Sequence, residues 1–360
     1  MEEMWINMGP QHPMTHGLWD LRVKVDGDMV VDAIPMVGYL HRGVEKISEN
    51  RTFFNFIPVT DRLCYVAAMS WSTIYVSAVE KLMGIEIPER CKFIRVILLE
   101  LQRLASHLMW LGAFAADLGL LTGFLYAMRD RELFLELLEQ VTGVRLLYCY
   151  PRVGGVRNDF PQGFEERTKK VCDYMEKKLD DYEMLMDKSD VFGMRTKGLG
   201  ILKPDDAKNL GVTGPILRAS GVRFDLRKDD PYLVYDRFDF DVPTGSQWDT
   251  FDRYKVRMEE MRQSCRIVRQ AVATIPQGKV KVGRTIRTAK GSAFVRMEDP
   301  RGEGAMYLVG DGSDKPYRCK IRSPAYVNLS ALPKMLIGCR VADVPAITGA
   351  VDVCLGEVDR

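Results

Sequence analysis

Ile94-Arg95-Val96-Ile97-Leu98-Leu99-Glu100-Leu101-Gln102-Arg103-Leu104-Ala105-Ser106-His107-Leu108 is the stretch from which the rest of the chain can be organised. Its apolar residues recur at helical spacing, and the pattern continues to Gly119, so Phe93–Gly119 is predicted as one buried helix. Glu100, Arg103 and His107 follow one another at steps of three and four, which keeps them on a single face. Charges on so apolar a helix are expected to form an internal ion-pair and hydrogen-bond set with neighbouring helices; a catalytic role is the alternative. Asp117, near the helix end, lies about a quarter-turn round from this stripe.

Helical patterning extends outward from about Val44 to Val272. Arg129–Thr142 is stopped by Gly143, Phe164–Ser189 is charged and amphipathic, and Asp249–Val272 is rich in Arg and Met. Two runs are apolar enough to compare with membrane spans. Leu63–Val79 has no charge but is short, and Leu108–Met128 carries Asp117 near its middle. A charge at mid-bilayer costs roughly 2.5–3.5 kcal/mol even on the lenient insertion scale, so both are expected to be buried core helices of a soluble protein.

Strand patterns flank this helical centre. Leu18–Pro35 alternates apolar and polar residues around Asp26-Gly27-Asp28 and is predicted as a hairpin. From about Gly278 short alternating runs return, at Ala305–Val309 and Tyr317–Ile321 around Gly310-Asp311-Gly312-Ser313, followed by a helix at roughly Asn328–Gly338. The predicted class is α+β, mainly helical, in one interlocked body. Residues 1–40 form a loop and β-hairpin, 41–277 a helical core, and 278–360 a β-rich lobe that returns to the core. Glycines in Pro204–Gly221, including Arg218-Ala219-Ser220-Gly221, allow close backbone approach.

Composition narrows the functions. With 51 Lys+Arg against 49 Asp+Glu, the chain lacks the basic excess that nucleic acid or electrostatic membrane binding requires. Its 8 cysteines are scattered without a CxxC, so a self-contained zinc ribbon or iron–sulfur cluster is not expected. The thiols are expected to be reduced, as in a cytoplasm. No GxGxxG follows a strand, and no phosphate-binding GxxxxGK[ST], G-x-S-x-G elbow or H-E-x-x-H occurs.

Two of the 4 histidines, His12 and His16, share the loop Met8-Gly9-Pro10-Gln11-His12-Pro13-Met14-Thr15-His16-Gly17. Their spacing would suit a metal only on a helix, and Pro13 between them opposes one. His16, Tyr65 and Asp117 stand in or beside the most apolar parts of the chain. That composition suits a pocket for a hydrophobic ligand with a few fixed polar contacts. For each residue alone, a satisfied structural role is the competing reading.

Longer blocks carry a family resemblance. Gly9-Pro10-Gln11-His12-Pro13-x-x-His16-Gly17, Gly38-Tyr39-Leu40-His41-Arg42-Gly43-Val44-Glu45-Lys46, the helix quoted first, Arg218-Ala219-Ser220-Gly221, Pro316-Tyr317-Arg318-Cys319-Lys320 and Gly356-Glu357-Val358-Asp359-Arg360 resemble the quinone-site subunit of the respiratory complex I family. The resemblance runs nearly end to end. It implies a fold like the NiFe-hydrogenase large subunit, with a helical core and small β lobes. In those hydrogenases two CxxC pairs hold nickel and iron; here the matching positions read Cys64 with Ala67 and Cys354 with Glu357. A hydrogenase reading, and a structural scaffold with a dead site, are the alternatives.

The resemblance further implies that the former metal cavity takes the head group of a membrane quinone or methanophenazine. The matching histidine and tyrosine, His16 and Tyr65, would hydrogen-bond the acceptor, with Asp117 paired to His16. Arg42 would lie near a 4Fe-4S cluster on an adjacent iron–sulfur small subunit, and His12 would shape the loop. This chain alone would bind no cofactor or metal. Its partners would be the other peripheral-arm subunits and the membrane arm, at the cytoplasmic face of the membrane, where other subunits couple turnover to proton translocation. Where many members carry a histidine beside the cluster, this chain reads Arg145-Leu146-Leu147-Tyr148. That departure favours a low-potential acceptor such as menaquinone or methanophenazine. The missing histidine and the shortness of Arg284–Gly291, together with a Met-rich core, point to an archaeal relative, the reduced-coenzyme-F-420 dehydrogenase.

Overall fold

A computed structural model describes residues 3–15, 17–283 and 288–360. Strands β1 (Met4–Met8), β2 (Asp20–Asp26) and β3 (Met29–Met36) form an antiparallel sheet, with Met8 opposite Leu21 and Asp20 opposite Met36. The predicted hairpin is thus present, enlarged by β1. That strand is only five residues long and leaves Met4 and Trp5 largely exposed, so it lacks a clear alternating signature. The histidine loop is the connection between β1 and β2. Val30 also exchanges hydrogen bonds with Gly338 and Cys339, which ties the C-terminal region to this sheet.

Four long helices build the centre: after α1 (Ala68–Met83) come α2 (Glu89–Asp117), α3 (Leu121–Thr142), α4 (Phe164–Asp187) and, further on, α5 (Thr250–Thr274). The largest hydrophobic cluster lies among α2, α3, α4 and α5. At its 29 residues, α2 is roughly 43 Å long. Gly143 ends α3 in the left-handed conformation, and the Asp249 carboxylate caps α5 by accepting the Asp252 N–H at 2.9 Å.

The span Leu108–Met128 is not one helix. It breaks after Asp117, turns at Gly119 with φ of 79°, and restarts at Leu121, eight residues before the start predicted at Arg129. The two arms of this turn pack closely because small residues face each other. An added Cβ at Gly123 would stand 3.0 Å from Ala115 Cβ, and one at Gly112 2.7 Å from Met128 Cε. No helix among the described residues is long and apolar enough to cross a membrane.

After a two-stranded ribbon at Pro151–Arg152 and Gly155–Val156, a second three-stranded sheet follows, in the order β4 (Lys290–Asp299), β5 (Gly302–Asp311), β6 (Pro316–Arg322). Met306, Leu308 and Ile321 of this sheet share a core with Trp71, Ile74 and Tyr75 of α1. The single helix expected at Asn328–Gly338 is instead two, α6 (Pro324–Leu329) and α7 (Leu332–Leu336), each opening with a proline in its first turn. Then come α8 (Val344–Gly349) and α9 (Leu355–Asp359). A third cluster buries β2, β3, α7 and α8 together. Gly214, at φ 71°, lies so close to the β4–β5 turn that a Cβ there would stand 2.4 Å from Gly302 Cα.

The polar stripe of α2 is an internal network. Glu100 accepts hydrogen bonds from Arg103, Arg227, Tyr235 and Ser264, the last two at 2.6 and 2.7 Å. His107 Nε2 is 3.0 Å from Glu260, which also holds Arg218 at 2.7 Å. Arg218 in turn binds Glu298 at the end of β4, at 2.8 Å. Burial lowers the His107 pKa against the opposing pull of Glu260. Removing one member of such a buried set costs about 3–5 kcal/mol, because its partner's charge stays behind unpaired. The stripe therefore binds α2, α5 and the second sheet into one body.

Candidate functional site: an apolar chamber at the end of α2

Beyond His107, α2 begins to line a cavity. Met109, Trp110, Ala113, Phe114 and Asp117 face a chamber of about 310 Å³, at the lower end of the usual range for small-molecule sites. Trp110 and Phe114 stack at 5.1 Å, and the Trp110 indole N–H donates to the Gly349 carbonyl at 2.9 Å, seating α8 against this wall. Gly349 has to be small: a Cβ there would stand 3.3 Å from both Asp117 Oδ2 and Phe114 Cδ2.

Three of the residues singled out in the sequence meet here. Tyr65 and Asp117 line the chamber, and so does Arg42. Tyr65 sits in a short 3-10 turn, Tyr65–Ala67, that leads into α1, and 50% of its surface is open. Its phenol pKa is raised, first by desolvation and then by the nearby Cys354. Arg42 Nη2 donates to the carbonyls of Arg62 at 2.7 Å and Gly356 at 3.3 Å. His12 does not line the chamber; its Nδ1 accepts the Met14 N–H at 3.2 Å inside the loop. His16 lies outside the described residues, while Met14 and Leu18 of the same loop line the chamber.

The other two histidines hold structure. His41 Nδ1 lies 2.6 Å from the Asp359 carbonyl oxygen, and the Asp359 carboxylate accepts the N–H groups of Gly38 and Leu40, each at 2.8 Å. The block Gly38–Lys46 thereby grips the end of the chain.

Opposite α2 stands a polar wall that the sequence did not announce. Buried Arg301 binds Asp352 Oδ1 at 2.9 Å and its carbonyl at 3.0 Å, and approaches Cys64 Sγ at 3.5 Å. Burial pulls the Arg301 pKa down, but Asp352 and the two thiols outweigh it and hold the guanidinium charged. Asp352 adopts φ of 60°, and its buried Oδ2 has no partner among the described residues. Behind Arg301, desolvation raises the Asp299 carboxyl to about 8, with Glu357 adding to the shift. Desolvation likewise raises Glu357 to about 7, followed by the charge of Cys354. Asp299 therefore keeps its proton at neutral pH, whereas Glu357 titrates in that range. The only sequence signal for this wall was a set of charged residues placed next to apolar ones, in Asp299-Pro300-Arg301 and Val351-Asp352-Val353.

The positions that match the hydrogenase ligands can be tested by donor chemistry. Cys64 and Cys354 hydrogen-bond each other, whereas Ala67 offers no donor atom. The Glu357 carboxylate already accepts from the Trp71 indole at 2.8 Å, Ser323 at 3.2 Å and the Ala325 N–H at 3.1 Å. Two sulfurs cannot make a four-sulfur site. Among the described residues, no three His, Cys, Asp or Glu side chains are grouped to hold a metal ion.

A mainly helical frame with small sheets, in which Cys64 and Cys354 stand without a second pair of sulfurs beside an apolar chamber, defines a recognisable class. Comparison with known families agrees: residues 42–116 match the nickel-dependent hydrogenase model, and residues 117–286 and 281–360 match that of the respiratory-chain NADH dehydrogenase 49 kDa subunit. The chain is 50% identical to an NADH-quinone oxidoreductase subunit of Dehalococcoides mccartyi, over 100% of this chain and 99% of that protein. It is 49% identical to the like-named protein of Desulforamulus reducens, over 99% of this chain and 98% of the relative. For the Bacillus anthracis counterpart the identity is 48%, over 99% of each chain. The chain belongs to the complex I 49 kDa subunit family, which includes these NADH-quinone oxidoreductase components, and so to a multisubunit oxidoreductase.

These relatives are bacterial and align over nearly their whole lengths, so the shortness of Arg284–Gly291 does not set this chain apart from bacterial members. Residues 284–287 of that segment lie outside the described residues.

Proposed function

We propose that the chamber at the end of α2 takes the head group of a lipid-soluble quinone and that this chain supplies the protons for its reduction. The observation that carries the reading is the meeting of Tyr65, Asp117, Arg42 and the flanks of the His16 loop around one apolar space. Two-electron reduction of a quinone needs two protons, and a positioned phenol and imidazolium are suitable donors. Tyr65 gives one proton from its hydroxyl. His16 gives the other, and Asp117 holds the imidazolium before transfer and accepts its change of charge afterwards. The neighbouring Asp299 carboxyl, protonated at neutral pH, limits the negative charge of the wall behind Arg301.

Electrons would reach the chamber from a 4Fe-4S cluster on an adjacent iron–sulfur small subunit, near Arg42. The assembly would include the other peripheral-arm subunits and a membrane arm that translocates protons, with this chain peripheral on the cytoplasmic face. The missing histidine at 145–148 favours a low-potential acceptor, menaquinone rather than ubiquinone. Methanophenazine, with reduced coenzyme F-420 as donor, is the other low-potential pairing. Turnover of the purified assembly with NADH or reduced coenzyme F-420 against each acceptor discriminates these.

Tyr65→Phe tests the site itself. Acceptor reduction is expected to fall on the order of a hundredfold while dye reduction upstream is unchanged. Wild-type acceptor turnover in that variant would remove Tyr65 from the reaction.

A further inference from the structure

One corner of the chamber is a joint between two stretches of backbone far apart in sequence, Arg62–Cys64 and Cys354–Gly356. They are pressed so tightly together that a Cβ at Gly356 would stand 2.6 Å from the Leu63 carbonyl oxygen. Arg42 fastens the joint by donating to Arg62 O on one side and Gly356 O on the other. Each stretch delivers one thiol, and the two thiols hydrogen-bond each other. Cys354 lines the chamber, whereas Cys64 is not among its lining residues and is covered to 1% exposure.

The surroundings favour an anionic sulfur at this joint. Arg301 reaches Cys64 Sγ, and the Gly356 N–H points at the Cys354 sulfur. The hydrogen bond from Cys64, ahead of any other influence, brings the Cys354 thiol down to about 7, while desolvation pushes Cys64 well above its usual value. One sulfur is thus a ready nucleophile and the other a thiol in waiting. A second thiol pair in the molecule shows what is special here. Cys172 and Cys265 also touch, between α4 and α5, but both are fully buried in the main core, and Cys265 is pushed far up by its Cys172 partner and by burial.

We propose that Cys64 and Cys354 form a peroxide-reactive dithiol site that closes to a disulfide across the wall of the chamber. Hydrogen peroxide is the oxidant, small enough to enter the chamber. The Cys354 thiolate attacks one peroxide oxygen and the O–O bond breaks. This leaves a sulfenic acid on Cys354 and a hydroxide, which takes up the proton that Cys354 released. Cys64 then loses its proton and attacks the Cys354 sulfur. The S–O bond breaks, and the departing hydroxide takes the Cys64 proton. Two thiols and one peroxide give one disulfide and two waters, with two electrons passing from sulfur to oxygen. A dithiol reductant reverses the closure. The inference does not depend on the acceptor reading.

The test is peptide mapping of the purified intact assembly after hydrogen peroxide, blocking of free thiols with iodoacetamide and non-reducing digestion. A Cys64–Cys354 linked pair is expected, lost on treatment with dithiothreitol and absent from Cys354→Ser, with no Cys172–Cys265 link. Absence of the linked pair at a dose that converts exposed Met184 and Met194 to sulfoxides would overturn the proposal. Should Cys354→Ser fail to assemble, an iodoacetamide time course on the unaltered protein decides. Cys354 should be alkylated on the order of tenfold faster than Cys172 or Cys265, and equal rates would sink the site.

Discussion

The two ends of α2 use polar side chains in opposite ways. In its middle, Glu100 and His107 meet Arg227 and Glu260 from distant segments, Arg103 joins Glu100 to the Glu298 carbonyl, and the set is sealed from water. Towards its end, the same helix presents Trp110, Phe114 and Asp117 to an open chamber. Across that chamber, Thr348 Oγ1 and Asp352 Oδ2 are buried without partners among the described residues. Arg103 Nη1, His107 Nδ1 and Arg218 Nη2 of the network also lack partners among the described residues, but they are sealed inside it, whereas the chamber atoms border open space. Burying an ion pair yields little net stability, but losing half of one is expensive, so the network fixes geometry more than it adds free energy. Polar atoms left with unused hydrogen-bonding capacity beside an apolar wall are available to a ligand. The difference separates cohesion from chemistry along one helix.

That contrast can be broken by substitution, starting at the cohesive end. Glu260→Ala leaves Arg218 and His107 without their shared carboxylate and is expected to cost about 3–5 kcal/mol, read as a lowered unfolding midpoint and poor assembly. A loss under about 1 kcal/mol would show that the network is dispensable. At the chamber end the expectation inverts. Asp117→Asn should reduce acceptor turnover roughly tenfold to a hundredfold yet change stability by less than about 1 kcal/mol. An unfolding midpoint as depressed as that of Glu260→Ala would erase the distinction between the two ends.

The smallest effect is a slope. An unfolded aspartate loses its proton near 3.8, whereas folded Asp299 keeps its proton to about 8, so between those values the folded state binds more protons. Stability should therefore fall as pH rises through that window, and Asp299→Asn, which binds no proton, should flatten the dependence. After discounting for water entry, the change is about 1–2 kcal/mol between pH 5 and 8, measured by denaturant unfolding. Parallel profiles for the two proteins would mean that Asp299 is already ionised in the folded state.

The sequence made the cohesive end easier to read than the chamber. Charges at steps of three and four on an apolar run require an internal partner set, and the structure supplies one. Its partners Arg218, Arg227 and Glu260 come from more than 100 residues away, a distance that periodicity does not bridge. Tyr65 and Asp117 were legible chiefly through family resemblance. Arg301 and Asp352 were missed because a charge in a turn looks like a solvated one until the fold buries it. The break after Asp117 carried one cue, Gly119, inside an otherwise uniform apolar run. The enlargement of the hairpin by β1 had none, since its outer residues are themselves apolar.

The grip of Gly38 and Leu40 on Asp359 has a consequence in time. The Gly38–Asp359 hydrogen bond joins residues 321 positions apart, and the same closure brings Gly356 onto Leu63. At about 5–20 residues per second on the ribosome, the early wall waits roughly 15–60 s for its counterpart to be made. Throughout that interval the Leu63–Tyr65 side of the chamber lacks the segment that faces it. The chamber therefore begins as an unfinished interface, completed only when residues 352–359 are made.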